Sequence, residues 1–262
     1  MKLLKNIFLA LAVIAILILV DACRKPYSYI QNVDTDLSNN SSTAQIFGAC
    51  ARMARNYAYV DGKQVSGSTL AFGGVFPGAA YSITLTPGAH SILLKDTLST
   101  TLQVPVTYSQ VFDLGKFYTL FLYDTTASPK VLAVKNDIII PLDTSCRLRF
   151  ANFIYNPTPV ANVDVYAFRN IPGTPVFAAG NPVLTGNTPI FTNIATNTVT
   201  DFIPFASLRT DTLYVVATGT TTPIIAKQLV QSLTPTRSYT SAYIGSFRSA
   251  ATGKSVTTFA TY

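Results

Sequence analysis

The 262-residue chain has no tryptophan, a single histidine and two methionines, and every one of its acidic residues is aspartate; only 12% of its residues are charged. Each shortage removes a class of chemistry. A hydrolase of the Ser-His-Asp or Cys-His kind needs a histidine base, and the sole candidate is His90, two residues after the Pro87-Gly88 turn. Zinc needs several Cys or His ligands in close spacing, which three scattered cysteines and one histidine do not offer. Calcium loops need aspartates at alternating positions closed by a glycine. Asp34 and Asp36 are the one close pair, and they lie in a polar linker. Gly73-Gly74 lacks the following lysine and the strand-to-helix setting of a phosphate loop. No metal, no cofactor and no catalytic residue is therefore expected. Glycosidases work with two flanking carboxylates. Here most aspartates adjoin turns, as Asp61 does before Gly62, Asp113 near Gly115 and Asp143 ahead of the second unit, and turn chemistry accounts for them. An unfamiliar Asp-based hydrolytic site is the alternative to a non-catalytic reading. The missing tryptophan also weakens a dedicated sugar platform, leaving tyrosine and phenylalanine as stacking faces.

What is present begins with a secretion signal. Lys2 and Lys5 precede an unbroken apolar run from Ile7 to Val20. That run is shorter than the ~20 residues of a membrane-spanning helix and fits the ~7–15 of a signal-peptide core. The box Val20-Asp21-Ala22-Cys23 resembles a bacterial lipoprotein signal, which implies cleavage after residue 22 and fatty acylation of Cys23. Two or more acyl chains hold a protein stably at a bilayer, each buried CH₂ contributing about 0.8 kcal/mol. With Lys2, Lys5 and Asp21 gone, 17 basic residues stand against 11 acidic ones (19 − 2 and 12 − 1). Arg24-Lys25 and Arg147-x-Arg149 are the densest basic pieces. Nucleic-acid binding calls for Lys and Arg clustered on one face, so it is not expected.

Residues 23–43 form a polar tether after the lipid, with Arg24 and Lys25 either touching anionic headgroups or simply solvated. About twenty flexible residues reach roughly 25 Å. From Ala44 on, Val, Ile, Thr, Tyr and Phe dominate, good strand formers all, and turn signals recur every ~8–12 residues, as in sandwiches and barrels. Asn56 to Val60, the turn Asp61-Gly62 and a return strand from Gln64 read as a hairpin. Further strands are expected at 80–85, from Gly88 through Leu94, and at 101–107, 117–123 and 130–135. The fold class is all-β, with one sandwich unit at 44–140 and a second at 146–262.

The second unit is inferred from internal repetition. Arg149-Phe150-Ala151-Asn152 is similar to Ile46-Phe47-Gly48-Ala49, Asn162 to Tyr166 is similar to Asn56 to Val60, and the Lys/Arg-x-Tyr-Thr of residues 116–119 returns at 237–240. The early pieces are offset by 103 residues and the late ones by 121, so about 18 extra residues fall between them. They are placed in a proline- and glycine-bearing loop at 170–197, a candidate contact surface, since long irregular loops are uncommon unless functional or disordered. YAYVDGKQV, TPGAHSILLKD and LGKFYTLFLYD together resemble bacterial cell-envelope domains of the domain-of-unknown-function family 4397. The resemblance covers nearly all of unit one and, more weakly, the ends of unit two. It implies immunoglobulin-like β units in an exported protein and brings no activity or ligand. Tyr118 and Tyr239, each at the start of a late strand after a turn, suit the tyrosine corner of such folds. Cys50 and Cys146 offer either an intramolecular bridge in an oxidising compartment or two buried thiols.

The expected function is that of a lipid-anchored envelope module of a Gram-negative bacterium, at the outer membrane and facing periplasm or surface. Its acyl chains would meet the membrane, and a glycan or protein would be its ligand.

Overall fold

The computed structural model describes residues 40–78, 81–158, 160–169, 184, 186–246 and 253–261. The signal peptide, Cys23 and the tether up to residue 39 lie outside them, as does most of the proposed loop at 170–197. In the first unit the strands are β1 (Ser42–Gly48), β2 (Asn56–Val60), β3 (Lys63–Gln64), β4 (Val75–Phe76), β5 (Ile83–Leu85), β6 (Gly88–Asp96), β7 (Val106–Phe112), β8 (Phe117–Thr125) and β9 (Ser128–Asn136). The second unit has β10 (Cys146–Tyr155), β11 (Val163–Arg169), β12 (Phe191–Ile194), β13 (Thr198–Val199), β14 (Ile203–Phe205), β15 (Thr210–Ala217), β16 (Ala226–Gln231), β17 (Ser238–Ser246) and β18 (Lys254–Ala260).

The two units follow one plan. One sheet of unit one runs β4-β1-β8-β9 with β5 also on β1, and the other runs β3-β2-β6-β7. Unit two repeats this as β13-β10-β17-β18 with β14 on β10, and β12-β11-β15-β16. In each, the first strand lies parallel to the eighth, β1 to β8 and β10 to β17. The chain is thus all-β, two sandwiches built on one repeated scheme.

Three of the four apolar clusters among the described residues fill and join them. Ala44, Ile46, Ala58, Ile92, Leu94, Phe112 and Leu120 fill the first sandwich, and Leu148, Phe150, Val165, Leu213, Val215 and Tyr243 the second. A third core has members from both units: Phe47, Phe121, Phe153, Ala242, Ile244 and Phe259. The β1 and β10 sheets therefore face each other and are covered on both sides. That explains near-continuous apolar strands such as β8, FYTLFLYDT, in which Tyr118 to Leu122 are all buried; a strand buried on both faces loses the in-out alternation of a half-exposed one. The short 141–145 connection joins two units that share an interior.

Arg149 lies in that shared interior, 2% exposed. Its Nε donates to Thr240 Oγ1 at 2.8 Å and an Nη2 hydrogen to Thr119 Oγ1 of the other unit at 3.2 Å. The guanidinium lies 4.6 Å from the Phe202 ring centroid. Burial pushes its pKa down to about 9, which still leaves it charged at neutral pH.

Several expectations need correction. The strand placed at 101–107 starts at Val106, and Gln103 instead exchanges side-chain hydrogen bonds with buried Asn56. Within the supposed loop 170–197, Phe191–Ile194 is strand β12, paired with β11. Unit one joins the corresponding strands by the two-residue turn Asp61-Gly62, both at positive φ, whereas unit two uses residues 170–190. The sequence pairing of Phe47 with Phe150 is one residue out. Tyr118 aligns with Ala44 and Tyr239 with Leu148, so Ile46 corresponds to Phe150 and Phe47 to Ala151. A one-residue slip moves a strand residue to the opposite face: Phe150 points into its own sandwich, Phe47 into the shared core.

Candidate binding cleft

The inner strands β1, β8, β10 and β17 start at one end of the body and finish at the other. Across the units, Arg149 meets Thr119 near the starts, while Tyr123 and Phe153 rings lie 5.4 Å apart towards the finishes. The end holding Ser41 is proximal, because the preceding chain arrives there. The residues that follow β1, β8 and β10 gather with the last residues of β17 at the distal end and enclose two clefts.

The larger, about 600 Å³, is lined by Arg52, Phe72, Thr125, Thr126, Tyr155, Gly245 and Ser246, among others. The smaller, about 320 Å³, is lined by Asp124, Lys130, Tyr155, Asn156, Thr158, Thr196 and Asn197, among others. Both draw residues from the two units, and half-buried Tyr155 belongs to both. Gly245 is there for shape: at φ +118 it adopts a conformation that side-chain-bearing residues rarely do, and a Cβ would fall 1.5 Å from the Gly253 carbonyl oxygen.

The electrostatics of the clefts are spare. Asp124, at φ 75, is the one carboxylate among the described lining residues. Its Oδ2 lies 2.7 Å from Lys130 Nζ, and that hydrogen bond raises the lysine pKa above its ordinary 10.5. The rest of the polar lining is hydroxyl and amide, except for the exposed Arg52 guanidinium in the larger cleft. Such a surface hydrogen-bonds mostly neutral polar groups, and Tyr155 and Phe72 offer aromatic faces for stacking. It holds no second carboxylate at the spacing that glycoside hydrolysis requires.

The residues singled out from sequence lie elsewhere. His90 sits near the proximal end, its Nδ1 2.6 Å from Asp61 Oδ2 and its Nε2 2.7 Å from the Thr86 carbonyl oxygen. Two acceptors ask both ring nitrogens to donate, which favours the imidazolium. Burial opposes the charge, but the Asp61 and Thr86 hydrogen bonds outweigh it, and the pKa rises above 6.5. In the same pair Asp61 is held below 3.8, first by the Ser91 backbone N–H and then by His90. The contact ties the β2–β3 turn to β6. Tyr118 Oη accepts from Asp113 N at 3.2 Å and donates to Asp113 Oδ2 at 3.0 Å, and Tyr239 Oη accepts from Thr234 N at 2.9 Å. Both hydroxyls reach back five residues, the arrangement of a tyrosine corner. Cys50 and Cys146 are free and fully buried, Cys50 in the first sandwich core and Cys146 in the second, so they form no bridge. Cys23 lies outside the described residues.

Sequence reading missed Tyr155, Asp124 and Lys130. The available signal was an aromatic closing a buried strand before Asn156-Pro157, which alone does not set it apart from other strand ends.

A second aromatic surface lies on the outer face of the β2-β6-β7 sheet, where half-buried Tyr57 and Tyr59 flank Lys95, whose Nζ is 4.8 Å from the Tyr59 ring centroid. The matching face of unit two is closed by Tyr166, Leu184, Tyr214 and Val216, which pack together.

No protein-family model and no curated protein matches the chain. Among solved structures it is similar to the family 26 carbohydrate-binding module CBMbc of Eubacterium rectale Amy13K in complex with maltoheptaose. The identity is 11%, over 85% of this chain and 97% of that one, with a TM-score of 0.24. A family 41 carbohydrate-binding module from streptococcal virulence factors, described for α-glucan recognition, is 10% identical over 83% of this chain and 97% of that one, TM-score 0.24. At such TM-scores the likeness does not bear on what this chain binds.

Proposed function

We propose that the protein is a non-catalytic binding module of the bacterial cell envelope, held at the outer membrane by fatty acyl chains on Cys23, that takes a neutral, hydroxyl-rich ligand such as an oligosaccharide in its distal clefts. The observation that carries this is the composition of the clefts: Tyr155 is shared between both, the hydrogen-bonding groups around it are mostly neutral, and the lone described carboxylate, Asp124, is occupied by Lys130. Ligand sites are concave, with a few well-placed polar groups and an apolar or aromatic wall. A tyrosine stacks at little entropic cost because it has few rotatable bonds. The cell-envelope address rests on the signal Met1–Cys23 and on the resemblance to the 4397 domains.

Calorimetric titration with a panel of neutral oligosaccharides tests it. Binding of at least one member, weakened tenfold or more by Tyr155→Ala and unaccompanied by release of shorter sugars, is the expected result. Sugar cleavage by the purified protein, or binding indifferent to Tyr155→Ala, would count against the reading.

A further inference from the structure

Five large apolar side chains stand in solvent at the proximal end. Leu114, Ile139, Ile140, Leu142 and Leu208 are 53–107% exposed, Leu142 being completely so. They come from three turns at the end of the body where β1 begins. Leu114 is in the β7–β8 turn, where Gly115 N donates to Ser41 O at 2.9 Å. Ile139, Ile140 and Leu142 follow β9, whose last residue, Asn136, pairs with Phe117 at the start of β8. Leu208 is in the β14–β15 turn, tied to the inter-unit connection by the hydrogen bond from Ser207 Oγ to Thr144 O. Leu208 also has φ 54, a conformation unusual for a bulky side chain.

We infer that the proximal end is a membrane-contact face, with these five residues seated in the headgroup and acyl boundary of the bilayer to which the chain is anchored. The inference rests on the acylated-Cys23 reading. Between Cys23 and Ser41 lie only the residues of the tether, which span at most about 60 Å even fully extended, so this end stays within that distance of the lipid surface. Tethering raises the effective concentration of the bilayer at the turns. Each fully buried Leu or Ile side chain then gains about 1.5–3 kcal/mol by leaving water. Charge does not drive the contact. Lys116, Lys135, Arg147, Arg209 and Arg237 at this end stand against Asp113, Asp137, Asp143 and Asp211, an excess of one, with Lys135 paired to Asp113 and Arg209 to Asp211. The contact therefore persists in high salt, unlike one made by a polybasic patch. Its consequence is orientation: the proximal turns face lipid and the Tyr155 clefts face away. The distal end has exposed apolar residues too, Leu98, Leu102 and Val104, with Val104 N bonded to Thr126 O, and they serve as the internal control.

The test is photocrosslinking of the full protein in its native membranes, loaded with a photoactivatable phospholipid, followed by peptide mapping. Lipid adducts on peptides containing 114, 139–142 and 208, insensitive to high salt and absent from 98–104, are expected. The triple variant Ile139→Ser, Ile140→Ser, Leu142→Ser should cut adduct yield at 139–142 at least fivefold. Adducts confined to the N-terminal acylated peptide would overturn the contact face while leaving the anchor intact. Adducts nowhere would overturn both. Equal labelling at 98–104 would overturn the orientation.

Discussion

Phe47 of the first sandwich stacks on Phe259 of the second, ring centroids 4.6 Å apart and planes 13° from parallel. Both belong to the core that the β1 and β10 sheets share, beside Phe121 and Phe153, themselves stacked at 4.7 Å. Neither sheet could expose that face to water without a large loss of apolar burial, so the repeats form one folding unit. Equilibrium unfolding should show a single transition by circular dichroism and tyrosine fluorescence alike. Phe121→Ala, which removes a fully buried ring at the centre of the interface, should cost about 3–5 kcal/mol and separate the two probes. Two well-resolved transitions in the unaltered protein would contradict the shared core.

His90, the only histidine, gives one unambiguous imidazole signal. Its raised folded pKa means that its contribution to stability is fully present below the unfolded value near 6.5 and is lost as pH rises through the folded value above it. Asp61 behaves oppositely, contributing above 3.8 and losing that contribution as pH falls through its lowered folded value. The ion pair is therefore complete between those two limits. Proton NMR titration should place His90 above 6.5, and Asp61→Asn should lower it, because only the Thr86 carbonyl then opposes burial. An unchanged titration in that variant would remove the pair from the account.

Burial pushes the Cys50 thiol up to about 12, with Asp124 adding to the effect, and the Cys146 thiol up to about 11. Thiolate is the reactive form, so both should resist a thiol reagent in native protein and react together on denaturation. Intact mass under non-reducing conditions should show two titratable thiols besides Cys23. A mass two hydrogens lighter would show that the cores had opened enough to bridge them.

Strand content was legible in the chain because Asp61-Gly62, Pro87-Gly88 and the β-branched and aromatic runs act locally. Tyr118 and Tyr239 were legible for the same reason: each corner closes within five residues. Facing was not. Phe47 and Phe150 look equivalent side by side in sequence, yet parity decides burial in a strand, and only the β8 and β17 partners reveal that one points inward and the other across the unit boundary. β12 was hidden by a long connection rich in proline and glycine. The clefts were hidden most deeply, since Arg52, Asp124, Tyr155 and Gly245 are far apart in the chain and converge because two inner sheets finish at one end.

The central claim is that ligand occupies the distal clefts around Tyr155. Backbone amide chemical-shift mapping during titration with a binding oligosaccharide tests it directly. The account predicts perturbations concentrated at Thr125, Tyr155, Asn156 and Asn197, lost in Tyr155→Ala. Perturbations centred on Tyr57, Tyr59 and Lys95 instead would place the site on the outer sheet of the first unit and contradict it.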